Sequence, residues 1–181
     1  MTRIFITLAW FAFLLMAAAL ILGLSVGDIR HDPSEDDRVW ATIHRLTGIA
    51  AALAVVLVNS IVVTYFIGTS RWCKEVTEAY QLDPKWVRGS TRLKRRTFPW
   101  ALISMLTVVG VVALGGAADP ATRRPGTELW VTPHLIGSLV GLIIIGYSFV
   151  VQWNNIHANH EVINYILAEV RRIRSERGLE V

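Results

Sequence analysis

Cysteine is almost missing from this chain: Cys73 stands alone among 181 residues, so no internal disulfide can form. Nothing around it marks an activated thiol, and it reads as structural or incidental rather than redox-active. Carboxylates are missing from every long apolar run, which argues against a proton-driven pump or transporter, since such machines carry acids inside their spans. No low-complexity tract or internal repeat is evident. Basic residues do not gather on a folded soluble face, so nucleic acid is not an expected partner.

What the chain has in excess is apolar length. It is 53% hydrophobic with a mean hydropathy of +0.46, too apolar and too blocky for an ordinary soluble domain. Four runs reach the length of about 20 residues that crosses a bilayer, near 4–26, 39–67, 98–118 and 129–153. The first lacks a small-x-small cleavage site before Gly27 and reads as a retained helix rather than a removed signal. The expected fold is all-α: a single polytopic membrane domain over 1–181, an antiparallel four-helix transmembrane bundle with cytoplasmic helical extensions.

Orientation follows from the basic residues in short loops. Of the 18 Lys and Arg, 13 lie before the first run, in the 69–97 loop or in the 157–181 tail. That places both termini in the cytoplasm and the protein in the inner (cytoplasmic) membrane, with lipid as its first partner. The 69–97 loop is expected to be cytoplasmic, with the second helix continuing through Arg71 to Gln81 until Asp83-Pro84 stops it. Ser34 and Asp37 form a candidate capping box that starts the second helix near Glu35. Thr132-Pro133 is a candidate start for the fourth, unless that helix begins earlier and bends there. In the tail, Ile163, Ile166, Leu167 and Val170 repeat at helical spacing, an amphipathic surface for lipid or for other subunits of a membrane complex.

Two histidines stand out. His44 and His134 each lie inside the outer end of an apolar run, and the second and fourth runs cross in the same direction. An imidazole in hydrocarbon is costly unless paired or ligated, so two at matched depth point to one shared ligand, a haem iron held by both. Below His44 the same helix face carries Thr47, Gly48, Ala51 and Ala52; below His134 it carries Gly137, Ser138 and Gly141. Small residues there leave room for a flat porphyrin, and the same pattern also serves close helix packing without any cofactor. Arg45 is adjacent for the propionates, with Arg38, Arg123 and Arg124 on the same side. The other in-span polar residues, Asn59, Ser60, Ser104 and Gln152, are expected to make interhelical hydrogen bonds. His157 and His160 lack further ligands nearby and read as interfacial.

The stretch Ala41-Thr42-Ile43-His44-Arg45-Leu46-Thr47-Gly48, with Pro133-His134-Leu135-Ile136-Gly137-Ser138-Leu139, resembles one four-helix half of the haem A synthase family. That resemblance implies haem-ligating histidines near the outer ends of the second and fourth helices. His44-Arg45-Leu46-Thr47-Gly48 is also similar, over the second helix alone, to the cytochrome b anchor of succinate dehydrogenase. Three residues before the histidine those families carry a glutamate and a serine respectively; here the residue is Ala41. The departure takes away the side chains linked to haem A synthesis and to the anchor's quinone site, and leaves a haem-binding scaffold. The expectation is a b-type cytochrome with one bis-histidine haem b near the outer face, in a larger respiratory or photosynthetic complex. It would exchange electrons with a quinone or an outer-side carrier, and is not a stand-alone enzyme. The alternative is a cofactor-free accessory subunit or assembly factor of a membrane complex.

Overall fold

In the computed structural model, which describes residues 1–27 and 29–179, the chain forms four long helices and no strand among those residues. They are α1 (Thr2–Ser25), α2 (Glu35–Ala79), α3 (Lys85–Ala118) and α4 (Val131–Glu176). Each holds a segment long and apolar enough to cross a membrane. α2 and α4 have 45 and 46 residues; at about 1.5 Å per residue each is more than twice the length of a hydrocarbon core of roughly 30 Å.

Local chemistry explains where these helices start and stop. The Ser34 hydroxyl accepts from the Asp37 backbone N–H at 3.1 Å, and the Asp37 carboxylate accepts from the Ser34 N–H at 3.1 Å. This capping box opens α2, and Glu35, Asp36 and Asp37 place negative charge on the positive end of the helix dipole. α4 begins at Val131, directly after a 3-10 turn over Thr127–Trp130, so Thr132 does not cap it. Pro133 falls in the first turn, where a missing N–H costs no hydrogen bond.

Between α2 and α3 the break is only residues 80–84. Leu82 N–H closes back on the Thr77 carbonyl at 2.9 Å, Gln81 takes a left-handed conformation, and the Asp83 carboxylate accepts from Lys85 N–H at 2.8 Å. Most of 69–97 is therefore helix. The tail does not stand apart from the bundle. Tyr165 stacks on Trp86 with ring centroids 5.0 Å apart, Asn159 accepts from Ser90, and Ile166 is fully buried. The ends of α2, α3 and α4 thus continue together as a three-helix extension.

The surface is far more apolar than that of a soluble domain, and the apolar core carries a polar seam. Large apolar side chains such as Leu14, Leu53 and Ile143 face outward at 60–71% exposure, while Asn59, Ser104, Ser148 and Gln152 are fully buried. Asn59 donates to Ser104 at 3.1 Å, Gln152 donates to Asn59 at 2.8 Å and to Ser148 at 2.7 Å, and Ser148 donates to the Trp100 carbonyl at 2.9 Å. This seam ties α2, α3 and α4 across the middle of the bundle. Ser60 is exposed and has no part in it.

The two halves of the chain repeat each other. The buried positions of α2 at 51, 55, 58, 59, 62 and 66 recur in α4 at 141, 145, 148, 149, 152 and 156. The constant offset is the one that separates His44 from His134. The residue types differ, as with Asn59 against Phe149 and Val62 against Gln152, so the repeat lies in which positions are buried and not in composition.

Cys73 tests the extension. It is fully buried, and burial pushes its thiol above the ordinary range although the neighbouring Ser90 hydroxyl works the other way. Fewer thiolates at neutral pH and a closed surface should slow maleimide labelling of the folded protein at pH 7 by about tenfold or more against a free thiol. The rate should climb with pH and become fast on unfolding; prompt labelling at pH 7 would count against this packing.

Candidate functional site

α2 and α4 pack against α1 and α3 but scarcely against each other. At the end of the bundle that holds the 26–34 and 119–130 connections, this leaves a cavity of about 610 Å³. Such a volume lies within the range of about 300–1,000 Å³ typical of cofactor and small-molecule sites. All four helices line it, and the walls are mostly apolar.

His44 from α2 and His134 from α4 enter this cavity, their ring centroids 6.2 Å apart and their planes at 68°. His44 Nδ1 lies 2.9 Å from the Ala19 carbonyl of α1. A carbonyl can only accept, so Nδ1 carries a proton, and in the neutral ring Nε2 is then the nitrogen with the free lone pair. His134 Nδ1 is buried without a hydrogen-bond partner in range, and the Val111 carbonyl of α3 is the acceptor that faces it. No hydrogen bond reaches Nε2 of either ring among the described residues. Two imidazoles bound to opposite sides of one metal ion would have centroids roughly 6.3 Å apart, given a metal–nitrogen bond of about 2.0–2.1 Å and about 1.1 Å from nitrogen to ring centre. The observed spacing suits one metal between them.

Glycines on α1 and α3 seat the rings. A Cβ at Gly23 would lie 2.8 Å from His44 Cε1, and one at Gly115 would lie 3.0 Å from His134 Cε1. The remaining small residues divide by role. Gly48 and Ser138, each four residues after its histidine, line the cavity; a Cβ at Gly48 would meet nothing within 4 Å, and Ser138 donates to the His134 carbonyl at 2.8 Å. Gly137 and Gly141 turn to α3 instead, where a Cβ would come within 2.7 Å of Leu114 and 2.9 Å of Val111. They are contact points between helices.

Cations stand at the mouth. Arg45 donates through Nη1 to both Asp119 carboxylate oxygens at 3.1 Å, bridging α2 to the end of α3. Arg30 donates to the Thr127 hydroxyl at 2.6 Å and to the Ala118 carbonyl at 2.8 Å, and lines the same opening. Arg38, Arg123 and Arg124 are exposed and away from it. Ala41 is buried in the cavity wall, so its departure from the two resembled families alters the site itself. His157 and His160 are exposed on α4, and Gln152 lies off the cavity with its carbonyl oxygen unpartnered.

The sequence reading of this site missed Ala19, Gly23, Val111, Gly115 and Arg30. Two of them left a trace: Gly23 precedes His44 by 21 residues and Gly115 precedes His134 by 19, each near the end of its own apolar run. Compared with protein-family models, with curated proteins and with solved structures, the chain matches none.

The division of glycines has a consequence for stability. Gly141→Ala forces a methyl against the β-branched Val111 and should destabilise by about 1–3 kcal/mol, whereas Gly48→Ala meets open space and should stabilise by up to about 1 kcal/mol through helix propensity. Unfolding midpoints in detergent should shift in opposite directions; a shared direction would contradict the packing described.

Proposed function

We propose that this chain is a b-type cytochrome: an antiparallel four-helix membrane bundle that holds one haem b between His44 and His134. The observation that carries this reading is the spacing of the two imidazoles, 6.2 Å between centroids in a cavity lined by all four helices. The apolar surface, with neutral polar groups inside, supports the membrane setting. The basic residues around 69–97 and in the tail support cytoplasmic termini and a haem site near the outer face.

His44 and His134 would hold the haem through their imidazole nitrogens. The Ala19 carbonyl keeps the proton on His44 Nδ1 and so leaves Nε2 as the donor atom. Arg30 and Arg45 at the mouth offer guanidinium N–H groups to the propionates, Arg45 by sharing or releasing Asp119. The mostly apolar lining would keep water from the faces of a bound haem. Bound haem would supply a one-electron couple, and holding it through two protein imidazoles would favour electron transfer over oxygen chemistry. The electron partners are a quinone, a neighbouring subunit of a respiratory or photosynthetic complex, or an outer-side carrier.

The purified full-length protein should show one haem b per chain by pyridine haemochrome, with a low-spin bis-imidazole spectrum. His44→Ala and His134→Ala should each lower haem content at least tenfold while keeping their helical circular dichroism. A folded preparation without tetrapyrrole, or histidine variants with full haem, would overturn the reading.

A further inference from the structure

We propose that Gly23 and Gly115 are positioning residues for the two imidazoles, each leaving room on a neighbouring helix for a histidine ring to seat against its backbone. This inference rests on the haem reading and deepens it. It concerns how the chain aims its ligands, which neither histidine's own helix determines.

The steric arrangement is alike in both halves, while a hydrogen bond to the carbonyl is formed only by His44. In a helix the carbonyl of residue i accepts from the N–H of residue i+4. The Ala19 carbonyl is therefore one turn before Gly23, and the Val111 carbonyl one turn before Gly115. A helical Cα–Cβ bond tilts towards the N-terminus, so a side chain at i+4 covers the turn that holds carbonyl i. Any residue but glycine at 23 or 115 would stand where the imidazole now approaches. At Gly23 the added carbon would lie 2.8 Å from His44 Cε1 and 3.2 Å from Nδ1; at Gly115 it would lie 3.0 Å from His134 Cε1 and 3.4 Å from Nδ1. The neighbouring atoms belong to flat rings held between helices, not to flexible chain ends.

Displacing the ring has a chemical effect beyond packing. The contact from His44 Nδ1 to the Ala19 carbonyl fixes the tautomer and raises the donor strength of Nε2. A methyl at 23 pushes the ring off that carbonyl, weakens the axial donor and makes the ferric state less favoured. The midpoint potential should rise. The angle between the imidazole planes, 68° here, should change as well, and the anisotropy of a low-spin ferric electron paramagnetic resonance signal follows that angle. The two sites should respond unequally. Gly23 has the closer contact and a formed hydrogen bond to lose, whereas His134 Nδ1 has no partner in range.

The test compares Gly23→Ala, Gly115→Ala and Gly110→Ala in the purified full-length protein. Gly110 lies on α3 outside the cavity wall, where an added Cβ meets nothing within 4 Å. Alanine is the better helix former, so all three variants should retain their helical circular dichroism. Gly110→Ala should keep wild-type haem content, potential and resonance signal. Gly23→Ala should bind haem at least fivefold less well or, where loaded, show a more positive potential and an altered signal. Gly115→Ala should show a smaller change of the same kind. Haem-loaded wild type with an unchanged Gly23→Ala, or a Gly110→Ala change equal to it, overturns this inference and leaves the haem reading standing. Wild type that binds no haem overturns the haem reading itself.

Discussion

A polar ring set among apolar helices is costly unless its nitrogens find partners. His44 meets half of that demand with a backbone carbonyl of α1 and turns the other nitrogen to the cavity. The rest of this end of the molecule follows from that arrangement. A glycine has to stand one turn after the carbonyl, the wall below the ring has to be small, and α2 and α4 have to stay apart. The proposed haem would complete the demand by taking the second nitrogen of each imidazole.

The four apolar runs, the capping box at Ser34 and Asp37, and the pairing of His44 with His134 across one cavity were legible from residue types and spacing. The strip beneath each histidine was legible only in part. Gly48 and Ser138 face the cavity, but Gly137 and Gly141 turn to α3, and a run of small residues carries no sign of which neighbour it meets. The contributions of α1 and α3 were harder still. Ala19 acts through a backbone carbonyl, which every residue has, and Gly23 and Gly115 act through side chains they lack. The internal repeat was hidden for a related reason. Matched positions such as Val62 and Gln152 share a place on the helix and not a chemistry.

That mismatch separates the two ends of the repeat. Around the histidines the halves are alike: a glycine of the neighbouring helix against the imidazole, then a small residue one turn on. Below the cavity they diverge, since Asn59 and Gln152 occupy unequal positions and hydrogen-bond to each other. Neutral amides and hydroxyls in an apolar surround bind helices together at modest gain each, and they penalise any shift in register that would strand a donor. A fully repeated core of Val and Ile would pack as well in neighbouring registers. The seam makes one register distinct, and with it one separation of the two rings.

The cavity therefore sits between two clamps. On one side the Asn59–Gln152–Ser148 seam holds α2, α3 and α4 together. On the other, Arg45 on Asp119 and Arg30 on Thr127 and Ala118 tie the connections across the mouth. The Arg45 pair is partly exposed and contributes little stability by itself; its importance is geometric. Helices that are fixed above and below a gap cannot close it without breaking one clamp or the other. The spacing of the imidazoles is then set by the protein before any ligand arrives. In the proposed haem site, two imidazoles already held 6.2 Å apart would lose little freedom on binding, which would leave more of the coordination energy for affinity.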